Sequence, residues 1–196
     1  MKKYILIFAL LLLCKDNLFS QSTTPGYYIT LQGDTVTARV KLQKSLSGQI
    51  MNNFFEKVEI IDTSKNSSQI FMPENIKGYG FSYNGVRYLF VAKPIKNGSK
   101  KFLTPVVVGT KSSLYQYSAT VSGSGYALAS ASVYYTFEKF DGNYLFLKNI
   151  LNKKFKTQLL AFYSEDSNVQ QLINFRLQYW LEMQKDLVEI VKAYNR

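Results

Sequence analysis

The feature that most constrains this chain is a change of period. Up to about residue 148, β-branched and aromatic residues sit in short alternating runs broken by turn residues, and from Leu151 apolar residues recur at helical spacing. Strands gathered first and helices last describe an α+β fold. We expect a curved, mostly antiparallel sheet, a roll or partial barrel, closed or flanked by C-terminal helices. Trp180, Leu187 and Val191 should be buried against it.

The strand segments are individually readable. Residues 26–31 and 35–42 flank Gln32-Gly33-Asp34, and Val36, Ala38, Val40 and Leu42 share one face, as in a half-buried hairpin. Gly33 would supply a positive φ and Asp34 a bond to its own backbone, which makes this turn structural. Val58–Ile61 and Gln69–Met72 follow. Residues 79–83 and 86–92 enclose Asn84-Gly85, a strong two-residue hairpin signal. Residues 101–108, 114–121, 132–138 and 144–148 complete the set, with 122–127 as a small, flexible hairpin tip.

The helical part spans about 151–196. Phe155, Leu159, Leu160 and Phe162 are helically spaced, and Asp166 or Ser167 is placed to cap a helix over 168–174. The last segment carries a stripe of Trp180, Met183, Leu187, Ile190, Val191 and Tyr194. Glu182, Lys185, Asp186, Glu189 and Lys192 are expected opposite it.

The N-terminus reads as a secretory signal: Lys2 and Lys3, then an apolar run from Tyr4 to Leu13 that is too short to span a bilayer. Cleavage after Ser20 would leave a single β-rich domain, 21–196. The alternative is a lipoprotein anchored through Cys14, although Leu13 is not the small residue such a signal normally places before its cysteine. Either way, no later segment approaches the length of a transmembrane helix.

Cys14 is the one cysteine, and the chain has no histidine. With Cys14 cleaved away, the mature chain lacks the commonest general base, the usual His and Cys metal ligands and any disulfide, so stability must come from packing. No Ser stands three residues before a Lys, which excludes a local Ser-x-x-Lys dyad. Carboxylates are scattered. Asp62–Asn66 and Asp141-Gly142-Asn143 are thin as calcium loops, and Gly123-Ser124-Gly125 is too short for a nucleotide loop. We expect no catalytic residues, no metal and no cofactor.

Charge and aromaticity remain. The formal charge is +11; Lys2, Lys3 and Lys15 against Asp16 lie in the signal, which leaves +9. Between Glu74 and Glu138 there is no acid, and Lys148, Lys153, Lys154 and Lys156 form a second basic knot. Such a field attracts polyanions. Export and the absence of any recognisable motif argue against nucleic acid. The candidate glycan or polyanion contacts are Arg87, Lys93, Lys96, Lys100, Lys101, Tyr115 and Tyr117. The plainer reading is that these lysines solvate a loop and protect strand edges, while tyrosines suit half-buried strands.

Gly26–Val36, Met72–Phe81, Ser113-Leu114-Tyr115, Tyr135–Lys139 and Val191–Asn195 carry a resemblance. They resemble uncharacterised exported proteins of Bacteroidota-type bacteria that open with a Gly-Tyr…Gly-Asp-Thr hairpin, some followed by an outer-membrane β-barrel. Many relatives have a cysteine where this chain reads Ser164-Glu165-Asp166-Ser167. The resemblance implies a periplasmic or outer-membrane location and brings no catalytic residues. The expectation is a non-catalytic envelope module that binds a protein partner. The alternative is a module for glycans or acidic polymers.

Overall fold

The structure, a computed structural model, describes residues 21–44, 53–62, 67–121 and 130–196. The signal segment and the expected hairpin tip lie outside the described residues. Among the described residues, ten strands form one antiparallel sheet that is not closed, and the helices follow it, as the change of period implies. The strands are β1 (Gln21–Ile29), β2 (Thr35–Gln43), β3 (Val58–Asp62), β4 (Ser67–Phe71), β5 (Gly78–Tyr83), β6 (Val86–Pro94), β7 (Lys100–Val107), β8 (Ser112–Val121), β9 (Ser130–Lys139) and β10 (Tyr144–Lys148). Their order is β10-β9-β8-β7-β6-β5-β1-β2-β3-β4, so β5 returns to pair with β1. The chain divides into two compact units at Tyr88/Leu89.

In the first unit, Ala38, Val40 and Leu42 are buried, on the face that alternation assigns them. Gly33 has φ 106°, but the side-chain bond of that turn comes from Thr30, whose hydroxyl accepts from the Asp34 N–H at 3.2 Å. Gly26 and Gly80 occupy adjacent strands, Gly26 opposite Phe81 and Tyr27 opposite Gly80. A Cβ on Gly80 would meet the Tyr27 ring at 2.8 Å, so the tyrosine covers the glycine. Tyr28 of β1 stacks on Phe71 of β4 with centroids 5.0 Å apart. Three strand spacings in a flat sheet would separate these strands by about 14 Å. The sheet of this unit is therefore curled. Asn84 (φ 50°) and Gly85 (φ 76°) make the primed turn between β5 and β6.

In the second unit, three helices cover one face of the sheet: α1 (Lys153–Phe162), α2 (Ser167–Arg176) and α3 (Met183–Tyr194). Asn152 caps α1 through the Phe155 N–H at 2.8 Å, and Asp166 caps α2 through Val169 at 3.0 Å. Leu114, Tyr135, Phe137 and Leu147 of the sheet pack with Phe155, Leu159, Ile173, Leu187, Ile190 and Val191. Leu187 and Val191 are buried as expected. Trp180 opens a 3-10 turn ahead of α3, and its side chain lies outside the described residues. Asp186 departs from expectation: it is buried beside the apolar stripe, because it stands three residues after Met183 and four before Ile190.

Asn195 ties the end of α3 to the start of β8. Its Oδ1 accepts from the Lys111 and Ser112 N–H groups at 2.8 and 3.1 Å, and its Nδ2 donates to Ser112 and Val191 carbonyls at 2.8 and 2.7 Å. The amide lies where a side chain on Gly109 would be. Asn195→Ala is expected to lower stability by about 1–3 kcal/mol in a denaturant melt. Gly33→Val should cost about 1–2 kcal/mol by forcing a β-branched residue to positive φ. A native melting temperature in either variant would contradict these assignments.

Candidate functional site

The face of the second unit's sheet turned away from the helices is aromatic and cationic. Alternation sends Tyr135 and Phe137 to the helical core, and so turns Tyr134, Thr136 and Glu138 the other way. Cross-strand pairing sets Tyr115 opposite Thr136, Tyr117 opposite Tyr134, Phe146 opposite Thr136 and Lys148 opposite Tyr134. Tyr117 and Tyr134 are 5.7 Å apart between centroids, and Tyr134 stacks on Phe146 at 5.2 Å.

A cleft of about 360 Å³ opens at the end of this array. Lys96, Lys148 and Lys154 line it with Tyr134, Phe146 and Ile150, and among the described residues no carboxylate lines it. Asn152, Phe155 and Gln158 place it at the N-terminus of α1. That first turn holds Lys153, Lys154 and Lys156 and no acid. Lysines at the positive end of a helix dipole disfavour the helix. The same placement adds lysine charge to a backbone end that already attracts anions.

The expected contact residues do not gather as one site. Of them, Lys96 lines the cleft, and Tyr117 touches the lining ring of Tyr134. Lys93 and Tyr115 do come together, with the ammonium 4.9 Å from the ring centre, but Lys93 is bound to Glu138 at 2.5 Å. Burial opposes its charge, yet Glu138 and Tyr115 outweigh burial and hold the ammonium above its usual value. Lys93 is therefore an internal ion pair. Lys101 stands opposite Lys93 across the strands, and burial draws its ammonium down. Lys100 is exposed on β7, and Arg87 is exposed on β6.

Sequence reasoning missed Tyr134, Phe146, Lys148 and Lys154 as a site. The second basic knot was visible, but the fold was needed to set Lys148 and Lys154 beside Lys96.

A second depression, about 500 Å³, is lined by Thr110, Lys111, Lys139, Phe140, Asp141, Glu165 and Tyr194. Lys139 meets Glu165 at 2.5 Å and lies 4.9 Å from the Phe162 ring centre and 5.7 Å from those of Tyr163 and Tyr194. The Tyr194 hydroxyl donates to the same carboxylate at 2.6 Å. These groups satisfy one another and fasten β9 to the helices. Asp141 accepts from the backbone and side chain of Asn143, both at 2.9 Å, as a turn residue. Among the described residues, no group of three or more acidic or cysteine side chains is placed to hold a metal ion.

No family model, curated protein or solved structure matches this chain.

Burial opposes the Glu165 charge, but the hydrogen bonds from Lys139 and Tyr194 outweigh it and bring the carboxyl down to about 2. A folded-state value below the unfolded one contributes stability above about pH 4.3 that is lost as pH falls toward 2. Glu165→Gln should flatten that part of the stability–pH curve between pH 5 and 2. An unchanged slope would show that the pair contributes nothing.

Proposed function

We propose that the second unit is an anion-binding module whose ligand is an acidic polymer, read by Lys96, Lys148 and Lys154 over the Tyr134–Phe146 stack. The observation that carries this is the cleft itself: three cations and two stacked rings at a helix N-terminus, with no carboxylate among the described lining residues. Lysines supply charge without fixed geometry, which suits a repeating carboxylate or sulfate. The rings offer apolar surface to a sugar backbone. The reading is non-catalytic, because the groups that gather here are cations and rings with no paired base or nucleophile. Lys2, Lys3 and the apolar run to Leu13 support export, and a periplasmic or outer-membrane setting supplies anionic polysaccharide.

Calorimetric titration with polygalacturonate, with neutral dextran as control, tests this. Binding is expected to weaken steeply with salt. Replacing Lys96, Lys148 and Lys154 together by Gln should weaken it about tenfold, at about 0.5 kcal/mol for each exposed contact. Equal binding of dextran, or an unaffected triple variant, would overturn the reading.

A protein partner is the second reading. Exposed Phe175, Tyr179 and Leu181, at the junction of α2 and α3, favour it. Capture of a partner from envelope that survives a high-salt wash would support it, and loss of every partner to salt would count against it.

A further inference from the structure

β10 is an end strand of its sheet, and among the described residues only β9 pairs with it. Its hydrogen-bond register is fixed at both ends. The Lys139 N–H donates to the Asn143 carbonyl and the Asn149 N–H to the Val133 carbonyl, both at 2.8 Å. Bonded and non-bonded pairs alternate along an antiparallel ladder, so Leu145 and Leu147 turn their backbone groups toward β9. Those of Tyr144, Phe146 and Lys148 turn away from it. The Lys148 carbonyl accepts from the Ile150 N–H at 2.7 Å. The N–H groups of Tyr144, Phe146 and Lys148 and the carbonyls of Tyr144 and Phe146 remain along this edge, where a further strand would bond.

The cleft of about 360 Å³ runs along the same edge. Phe146 and Lys148 stand on one face of β10, and Leu147 stands on the other, packed with Phe155 in the helical core. All four line the cleft, and a groove lined from both faces of an end strand lies beside its backbone. One wall is therefore cationic and the other apolar. Lys96 reaches the cleft from the turn between β6 and β7.

Charge selects the occupant. An edge lysine ordinarily guards a strand against pairing. Here a neutral or basic strand would meet the ammonium groups of Lys96, Lys148 and Lys154 without answering them. A strand with carboxylates on one face and apolar side chains on the other matches both walls, and its backbone supplies partners for the outward groups of β10.

We propose that β10 accepts an extended acidic segment of a protein partner as a further strand, with its carboxylates toward Lys96 and Lys148 and its apolar side chains toward Leu147 and Phe155. The inference goes beyond the polymer reading. A polysaccharide would use the lysines and rings of this cleft, whereas a strand also uses the backbone of β10.

The test uses the full chain labelled with 15N and, as probe, an acetylated and amidated heptapeptide of alternating valine and glutamate. Amide hydrogen exchange at Tyr144, Phe146 and Lys148 is expected to slow about tenfold or more when the peptide is bound, because each N–H gains a partner. Exchange at Leu145 and Leu147, already bonded to β9, should change little. Two methylated peptides read the backbone directly: N-methylation of the glutamates blocks one edge of the probe, and N-methylation of the valines blocks the other. One of the two should bind about tenfold more weakly than its counterpart, and a valine–lysine peptide should not bind. Equal binding of the two methylated peptides overturns the proposal. So do peptide-induced shifts at Lys96, Lys148 and Lys154 without slowed exchange along β10, since these would show charge contacts alone. Polygalacturonate is run in parallel. If it binds while the peptide does not, the strand proposal falls and the polymer reading stands. If the peptide slows exchange while polygalacturonate fails to bind, the polymer reading falls and the strand proposal stands.

Discussion

The docking of α3 on its sheet is the contact on which the second unit depends. Met183, Leu187, Ile190 and Val191 form its buried stripe and meet a core that includes Leu114, Tyr135 and Phe137. The stripe supplies the free energy, because burial of apolar area is the main stabilising term for a domain without disulfides. It does not fix how far α3 slides along the sheet. Asn195 does so, by making three hydrogen bonds to Lys111 and Ser112 at the start of β8 and a fourth back to Val191 of the helix. Tyr163 adds a buried link, its hydroxyl 2.9 Å from that of Ser112. Non-directional packing holds the helix down, and directional bonds set its register.

The candidate site follows from that arrangement. With the helices occupying one face, the residues between core positions are left on the other, and in β8, β9 and β10 these include Tyr117, Tyr134 and Phe146. The short connection from β10 to α1 sets the start of that helix beside Lys148. Lysines in the first turn of α1 work against helix stability. Lys154 of that turn meets Lys96 and Lys148 in the lining of the cleft, which concentrates positive charge there.

Much of the fold was legible in the sequence because it rests on local rules. Alternation from Val36 to Leu42 gave the buried face of β2, Asn84-Gly85 gave a hairpin, and Asp166 capped a helix. What escaped depends on distant partners. Lys93 looked like a free surface cation, yet it meets Glu138, 45 residues away. Asp186 was assigned to the polar face by its charge, although its spacing from Met183 and Ile190 already put it beside the stripe. The cleft was only half visible: both basic knots stood in the sequence, but no local pattern says that Lys96 will lie near Lys154. Tyr134 was indistinguishable from other strand tyrosines until pairing placed it between Tyr117 and Phe146.

The most direct measurement is a map of backbone amide shifts in the full chain as polygalacturonate is added at low salt. Shifts concentrated at Lys96, Tyr134, Phe146, Lys148 and Lys154, and reversed by added salt, are what the account predicts. Shifts spread over every exposed lysine, with Arg87 and Lys100 moving as much as Lys148, would show a diffuse basic surface and contradict a site at this cleft.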